Sequence, residues 1–371
     1  MRFGLVIYGD LDQTSGGFRY DRKLVDYLRT QGDTVEVISL PWRAYWRNVA
    51  AGFSPTIKKR LDKPFDVLLQ DELCHPSLWR VNRRLTRPGA TVALVHHIQS
   101  DDQRGRLGGL RRSVERQYLD SVDGWIATSD FTRQRAQAVA ATSPDESVVA
   151  PPAGRAEGRA VDESAVSTRA TEEPFRILYL GNIVARKGLL TLLSALGSPD
   201  IETTDWQLAV VGGEPEPAYA EQVRKRAAKR EIDERVDFVG EVSDAELTAQ
   251  LEASHVLCVP SRYEGFGMVY LEAMEYGVVP IATTNGGASE FILDGENGAL
   301  VNPGDVDRIA TLIAEWAADR QQLANLGVAA LQTAAAHPSW DESLAQVRSL
   351  LVGLSDASTE DGTFAAEKPN P

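Results

Sequence analysis

The sequence predicts an α/β protein of two domains, each built around a parallel sheet. A strand (2–8), a Gly-containing loop, a helix (18–31) and a second strand (34–40) open the chain. This order is typical of parallel strands joined by a right-handed crossover. The same alternation begins again at residue 175, after a stretch without aromatic residues or periodicity. At 371 residues, the chain is long enough for two domains, each with its own core.

The first domain is predicted to span residues 1–153. Its segment 41–64 is basic and aromatic, but Pro41, Gly52 and Pro55 break its hydrophobic face, which favours a helix packed on the sheet with its arginines in solvent. The alternative, a segment that docks an acceptor or contacts a membrane surface, stays open. Apolar runs predict the remaining strands of this domain at 65–70, 91–97, 124–129 and 147–153.

The second domain is predicted at 175–335, after a small, acidic linker at 154–174. A C-terminal helix is predicted within 336–354, and the polar end of the chain, 355–371, is predicted to be disordered. Apolar runs predict the strands of the second domain at 175–181, 206–213, 235–242, 255–259, 278–284 and 298–301.

Composition argues against several classes of protein. A net charge of −14 argues against nucleic-acid binding as the main role. No run approaches the roughly 18–20 apolar residues that a membrane span needs. The apolar N-terminal stretch is short and lacks a cleavage site, which argues against a signal peptide. Two distant cysteines, Cys74 and Cys258, favour a reducing compartment, so we expect a cytoplasmic protein.

The segment 260–280, PSRYEGFGMVYLEAMEYGVVP, carries the clearest chemical signal. Gly265 and Gly267 leave backbone N–H groups open to an anion where a helix begins. Glu264 precedes that helix and Glu272 lies within it. A carboxylate beside an anion site is unfavourable unless it holds neutral groups such as sugar hydroxyls. A diphosphate on the amides, with a hydroxyl-rich group on each carboxylate, describes a nucleotide sugar.

This segment, with its E-x7-E spacing inside EGFG-x4-EAM-x2-G-x2-P, closely resembles the signature of glycosyltransferase family 4, retaining enzymes of the GT-B fold. The resemblance implies that Glu264 hydrogen-bonds the donor sugar and that Glu272 hydrogen-bonds the ribose. It also places Gly265, Phe266 and Gly267 at the donor. An acidic helix start favoured by the helix dipole, with Glu272 merely solvated, is the alternative interpretation.

The loop after strand 175–181 also resembles the family. Its G-x4-RKG pattern implies that Arg186 and Lys187 contact the donor diphosphate, where cations stabilise a leaving group. Basic residues at a helix N-terminus are otherwise disfavoured by the dipole. The GGxxE pattern that ends at Glu290 implies a turn near the donor. Further candidate donor contacts are Gly212, Gly240 and Glu290.

In the first domain, the resemblance rests on the placement of two features. A Gly-Gly pair, Gly16 and Gly17, would let the backbone approach the donor phosphates, although a plain tight turn is an alternative. A histidine at the end of strand 91–97 would contact the donor sugar. His96 is the candidate because it directly follows the apolar run, and its neighbour His97 would point to the opposite face. The terminal helix would return to the first domain, and the two sheets, facing across a cleft, would close on the donor.

The implied reaction transfers a sugar from a UDP- or GDP-type donor to a hydroxyl of a glycan, lipid or small molecule, with retention of anomeric configuration. Charge stabilisation by Arg186 and Lys187 would dominate it. A DxD motif binds a divalent metal in glycosyltransferases of the GT-A fold. Here the one DxD match, Asp10 and Asp12, lies in the first βα loop of a predicted GT-B fold, so we expect no metal or other cofactor. Three rival functions are a non-catalytic sugar-nucleotide-binding relative, a nucleotide-sugar 2-epimerase, and an oxidoreductase, which lacks its GxGxxG fingerprint here.

Overall fold

The structure is a computed structural model that describes residues 1–13, 15–102, 107–155 and 162–364. The chain forms two compact units. The first is Met1–Pro152 together with the segment from Pro338 onward, and the second is Ala153–His337. Each unit contains one six-stranded parallel sheet, which confirms the predicted fold class.

The first unit has buried central strands, because helices cover both faces of its sheet. Its strands are β1 (Arg2–Tyr8), β2 (Thr34–Leu40), β3 (Val67–Asp71), β4 (Ala90–Val95), β5 (Gly124–Ala127) and β6 (Glu146–Val149). Its helices before the C-terminal segment are α1 (Gly16–Thr30), α2 (Tyr45–Ala51), α3 (Pro55–Leu61), α4 (His75–Leu78), α5 (Gln99–Asp102), α6 (Gly108–Leu119) and α7 (Asp130–Val139). The sheet order is β2–β1–β3–β4–β5–β6. Because β2 and β3 flank β1, the loops after β1 and β3 meet where the strand order reverses, the usual ligand position in such sheets.

Helix α1 places a carboxylate on a buried face. Ser15 caps the helix by accepting a hydrogen bond from the backbone N of Phe18 at 3.4 Å. Phe18, Asp21 and Leu28 are all buried and lie on one face at helical spacing. Asp21 is therefore an acidic residue in a position that the pattern would otherwise fill with an apolar one.

The second unit repeats this architecture. Its strands are β7 (Phe175–Leu180), β8 (Trp206–Val211), β9 (Val236–Gly240), β10 (Val256–Cys258), β11 (Val279–Thr283) and β12 (Ala299–Val301). Its helices are α8 (Glu163–Arg169), α9 (Leu189–Leu196), α10 (Pro217–Lys229), α11 (Asp244–Ala253), α12 (Met268–Met274), α13 (Val306–Ala318) and α14 (Arg320–Ala336). The sheet order is β12–β11–β10–β7–β8–β9. Its order reverses at β7, so the loops that follow β7 and β10 share one edge.

The last helix, α15 (Trp340–Phe364), belongs to the first unit. The ring of Trp340 lies 5.6 Å from the ring of Tyr20, and the Arg348 Nε donates to Asp33 Oδ2 at 2.8 Å. An aromatic contact and a charge-assisted hydrogen bond thus fix α15 beside α1. Among the described helices, none combines the length and apolar character that a bilayer-spanning segment requires.

Two predicted segments differ from the structure. The predicted linker 154–174 contains α8, where Val166 is buried and the guanidinium of Arg169 donates to the backbone oxygens of Tyr276 and Gly277, both at 2.8 Å. A helix this short has too few apolar positions to show periodicity. Residues 156–161 of that segment lie outside the described residues.

The second difference concerns the C-terminal end. Disorder was predicted for residues 355–371, but α15 continues to Phe364. A helix already nucleated by its packed first half extends through polar residues, because each added residue gains a hydrogen bond without a new nucleation cost. Residues 365–371 lie outside the described residues.

Candidate active site

The loops after β7 and β10 bring three predicted site residues together. Lys187 Nζ lies 2.9 Å from Glu264 Oε2, and Arg186 Nη1 lies 3.4 Å from the same oxygen. The Arg186 guanidinium also donates to the backbone oxygen of Tyr263 at 2.6 Å. Lys187 and Arg186 precede Glu264 by 77 and 78 positions in the chain. They meet because their strands are neighbours in a parallel sheet.

Glu264 is an ionised carboxylate in a largely buried position. Burial by itself raises the pKa of its carboxyl group, but the charges of Lys187 and Arg186, with hydrogen bonds from Lys187 and Ser261, lower that pKa to about 2. The Ser261 hydroxyl donates to Oε2 at 3.2 Å. At neutral pH the group is therefore an acceptor for hydroxyl donors of a ligand.

Two glycines allow the loops to pack this closely. Gly188 follows Lys187 with φ of +75°, and a Cβ there would lie 2.1 Å from the backbone oxygen of Pro260. Gly286 pairs with Glu264 in an isolated parallel β-bridge, and a Cβ there would lie 2.7 Å from the Glu264 backbone oxygen. Any side chain at either position would push the two loops apart. The glycines of the RKG and GGxxE patterns thus hold Glu264 in place.

Other predicted donor contacts lie around this cluster. Gly267 is the N-cap of α12, with φ of +92° and no side-chain cap. Phe266 packs its ring 5.0 Å from that of Phe291 and 5.6 Å from that of His337, so its side chain is part of the hydrophobic core. A Cβ on Gly212 would lie 2.3 Å from the backbone oxygen of Gly181, which begins the RKG loop.

Gly240 and Glu290, two further predicted contacts on this edge, are less closely joined to the cluster. Gly240 accepts a hydrogen bond at its backbone oxygen from the Gly212 N at 2.8 Å, one strand further from β7. Glu290 is exposed at the end of the turn Gly287–Glu290. Gly265 accepts at its backbone oxygen from the Gly287 N at 3.0 Å, which ties the EGFG turn to that same segment.

Glu272 is buried and has a partner that sequence reasoning missed. The Arg155 Nε donates to Glu272 Oε1 at 2.9 Å, and the Arg155 backbone N donates to Glu275 Oε2 at 2.7 Å. Arg155 Nη1 also lies 2.5 Å from Asp244 Oδ1. Arg155 falls in the predicted linker, where its charge had no assigned function. Three carboxylates converge on this one arginine, so Arg155 orients the carboxylate that the resemblance assigns to ribose.

Removal of Glu272 therefore has two expected effects. Glu272→Ala should weaken nucleoside diphosphate binding about tenfold, because a charge-assisted hydrogen bond is lost in the ground and transition states alike. It should also lower the melting temperature, because Arg155 loses a partner. Calorimetric titration of the nucleotide and a thermal melt measure the two separately. Arg155→Ala is the matched comparison: if its binding loss equals that of Glu272→Ala, the carboxylate acts only through the ion pair.

The first unit brings its predicted residues together around His96. Gly16 and Gly17 form the first turn of α1, and a Cβ on Gly17 would lie 3.2 Å from the His96 Cδ2. His96 Nε2 lies 3.1 Å from Asp21 Oδ1, and its backbone N donates to Glu72 Oε2 at 3.0 Å. His97 Nδ1 lies 3.2 Å from Glu72 Oε1. The glycine pair and the two histidines thus lie in one place, beside two acidic residues.

Asp21, Asp71 and Glu72 were not predicted as site residues. The one available signal is the acidic pair Asp71–Glu72 directly after an apolar strand, at the edge where ligands bind. Asp21 gives no such signal, because a single acidic residue in a helix is usually solvated.

Comparison with known proteins places this geometry in a family. Residues 161–333 match the family model described as "Glycosyl transferases group 1". A phosphatidyl-myo-inositol mannosyltransferase of Mycobacterium leprae is 30% identical over 338 residues, which cover 84% of this chain and 86% of that protein. The chain therefore belongs to the group 1 glycosyl transferases, which confirms the resemblance.

Other relatives match over a shorter span. A GDP-mannose-dependent alpha-(1-6)-phosphatidylinositol monomannoside mannosyltransferase of Mycobacterium tuberculosis is 33% identical over 255 residues, 65% of each chain. Its Mycolicibacterium smegmatis counterpart is 35% identical over 188 residues, 49% of this chain and 48% of that protein. The chain thus matches roughly half to two thirds of the length of these two relatives.

Solved structures show the same fold at low sequence identity. Sucrose-phosphate synthase from Thermosynechococcus elongatus has a TM-score of 0.81 at 21% identity, over 96% of this chain and 99% of that one. Anabaena HepE in complex with UDP-glucose has a TM-score of 0.73 at 17% identity, over 98% and 100%. The fold is that of the GT-B glycosyltransferases.

Proposed function

We propose that the protein is a retaining glycosyltransferase, which moves a sugar from a nucleoside diphosphate sugar to an acceptor hydroxyl. The observation that carries this proposal is the contact of Lys187 and Arg186 with the one carboxylate of Glu264. Cations suit the phosphate oxygens of a donor, and an ionised carboxylate suits the hydroxyl groups of its sugar. Both groups of the donor can thus be held by one cluster at one edge of the sheet.

The chemistry follows from where charge develops. The bond between the anomeric carbon and the diphosphate oxygen breaks, and a bond to the acceptor oxygen forms on the same face of the sugar. The anomeric centre becomes oxocarbenium-like while negative charge grows on the diphosphate, and Lys187 and Arg186 stabilise that growing charge. The acceptor hydroxyl gives its proton to the departing phosphate oxygen.

We propose GDP-mannose as the first donor to test. Two relatives at 33% and 35% identity are named as GDP-mannose-dependent, whereas the protein solved with UDP-glucose is 17% identical to this chain. A donor that binds the native state raises its melting temperature, so a thermal-shift panel of GDP- and UDP-sugars ranks the candidates. A larger shift with a UDP-sugar than with GDP-mannose would reassign the nucleotide.

The function itself is tested by product analysis. Incubation of the donor with and without an acceptor distinguishes transfer from the rival functions. A new glycoside with the donor's anomeric configuration, seen by NMR, supports the proposal. A donor epimerised at its second carbon supports the epimerase, and an unchanged donor that nevertheless binds supports the non-catalytic relative.

For the acceptor, we propose a hydroxyl compound that carries a phosphate. The first unit has an open groove of about 660 Å³, and Arg43, Arg47 and Arg60 line it. Among the described residues, no carboxylate lines this groove, although the chain as a whole is acidic. Relatives named as acting on phosphatidylinositol or inositol 3-phosphate use acceptors of this kind. Trp42 and Phe53, 56% and 54% exposed, would suit peripheral contact with a membrane if that acceptor is a lipid.

Loss of Arg43 and Arg47 should weaken binding of a phosphorylated acceptor without affecting the donor. The double variant Arg43→Gln/Arg47→Gln should raise KM for a phosphorylated acceptor at least about tenfold, because each charge-assisted hydrogen bond to phosphate contributes about 1.5–3 kcal/mol. Donor hydrolysis without acceptor should not change. Steady-state kinetics with a phosphorylated polyol and its unphosphorylated form measure the effect. Arg83→Gln, an exposed arginine outside the groove, is the control. An equal rise in KM for both acceptors would rule out a phosphate contact.

We propose that the reaction needs no metal or other cofactor, because protein cations can hold the diphosphate. Activity should therefore persist after EDTA treatment and desalting, within about twofold, since Lys187 and Arg186 supply the charge that a metal ion would otherwise supply. Complete loss of activity, restored by manganese or magnesium, would contradict this and return attention to Asp10 and Asp12.

We also propose a cytoplasmic location, because Cys74 and Cys258 are buried thiols and not a disulfide.

A further inference from the structure

Three buried carboxylates surround His96 in the first unit. Asp21 comes from α1, and Asp71 and Glu72 come from the end of β3 and the turn after it. Asp21 and Asp71 are fully buried, and Glu72 is 2% exposed. A buried carboxylate is costly unless it is paired or neutralised. Burial raises the pKa of Asp71 well above its ordinary value, so the charge that the fold must balance lies on the other two carboxylates.

His96 is held in one orientation. Its Nε2 lies 3.1 Å from Asp21 Oδ1, and its backbone N donates to Glu72 Oε2. The Cδ2 edge of its ring packs against Gly17, and the ring of Tyr20 meets it edge-on at a centroid distance of 5.4 Å. A ring flip would break the bond to Asp21. Among the described residues Nδ1 has no hydrogen-bond partner, so it is the nitrogen left for a ligand.

The surroundings of His96 are mostly acidic. Asp21 faces it from α1, Asp71 faces it from the end of β3, and Glu72 faces it from the turn that follows β3. The charge of Arg22 favours ionised Asp21, and His97 is paired with Glu72. Burial by itself lowers the pKa of His96, but the hydrogen bond and charge of Asp21, together with the charge of Glu72, raise it to about 10. The imidazole is thus a cation at neutral pH.

We propose that Asp21 is a positioning residue that keeps both ring nitrogens of His96 protonated and presents Nδ1–H as a charged hydrogen-bond donor. Asp21 itself touches no reacting atom. The assignment rests on the proposed function and on the resemblance to glycosyltransferase family 4, which implies that His96 contacts the donor sugar. An imidazolium N–H hydrogen-bonds a sugar oxygen more strongly than the N–H of a neutral imidazole does. Because Asp21 already fixes the His96 ring, the ring loses little entropy when it binds the sugar.

The test separates the charge of Asp21 from its shape. Asp21→Asn retains an oxygen that can accept from Nε2 but removes the negative charge. In histidine-labelled protein, the His96 signal of the wild type should remain that of an imidazolium at pH 8. In Asp21→Asn its titration midpoint should fall by roughly two pH units or more, towards the ordinary value for histidine. Asp26→Asn, an exposed aspartate on the same helix, is the matched control and should not shift it.

Several outcomes decide the proposal. The chain has five histidines, so comparison with His96→Gln assigns the signal. The pH profile of kcat in Asp21→Asn should gain a fall above about pH 7 that the wild type and Asp26→Asn lack. A wild-type His96 that is neutral at pH 8, or a titration unchanged in Asp21→Asn, overturns it. If Asp21→Asn does not fold, the wild-type titration alone decides.

A bound divalent cation is the rival way to neutralise the cluster, since atoms of Asp71, Glu72 and His96 lie within 4.8 Å of one another. Displacement of the His96 signal by magnesium would overturn the proposal. The NMR result does not depend on turnover. If the titrations behave as expected but no glycoside forms, the charge assignment stands and the proposed function fails.

Discussion

Lys187→Ala is expected to lower kcat about a hundredfold or more while changing donor affinity only a few fold. The negative charge on the leaving diphosphate grows along the reaction, so a cation beside it stabilises the transition state more than the ground state. Single-turnover kinetics with saturating donor, together with calorimetric titration of donor, measure the two quantities separately.

The structure also fixes the control for this variant. Lys229 lies exposed in the last turn of α10, so Lys229→Ala removes the same charge away from the cluster. That variant should retain wild-type kcat. A Lys187→Ala protein that loses donor affinity and kcat in the same proportion would show that Lys187 serves ground-state binding and not the leaving group.

Glu264→Gln is expected to lower kcat/KM about a thousandfold. The substitution preserves the shape of the side chain but removes the charge that Lys187 and Arg186 face at 2.9 and 3.4 Å. Two partly buried cations would lose their shared carboxylate, and the sugar would lose a charged acceptor for its hydroxyl group. Steady-state kinetics measure the loss, and Glu296→Gln, an exposed glutamate of the same unit, is the control.

The pH dependence gives a second check on Glu264. Its pKa of about 2 in the folded protein lies below the ordinary value for glutamate, so its ionised form contributes stability that is present above pH 4.5 and lost as the pH falls towards 2. Wild-type activity should therefore not decline between pH 7 and 5 through this group. In Glu264→Gln, the acid-induced loss of stability in that lower range should be smaller. An unaltered acid melt would contradict the ion pairing seen in the structure.

The cluster of Arg186, Lys187 and Glu264 was predicted from sequence because its parts are local. G-x4-RKG and EGFG-x4-E each occupy one loop and one helix start, so their spacing alone singles out these residues. That Lys187 and Glu264 meet follows from β7 and β10 being neighbours, which the alternation of strands and helices suggests but does not establish. The carboxylate–cation distances are decided by packing, through Gly188 and Gly286.

The partners of Glu272, in α12, and of His96, after β4, are visible only in the tertiary structure. Arg155 reaches Glu272 across 117 positions, and Asp21 reaches His96 across 75. Neither arginine in a polar stretch nor aspartate in a helix carries a pattern of its own, because solvated side chains of the same types are common. Sequence alone was sufficient for the fold class and the family, and it predicted the residues that cluster after β7 and β10. The charge inferred for His96 depends on burial and on the distant carboxylate of Asp21, and the pairing of Glu272 depends on the distant Arg155. These contacts form only once the sheets have assembled.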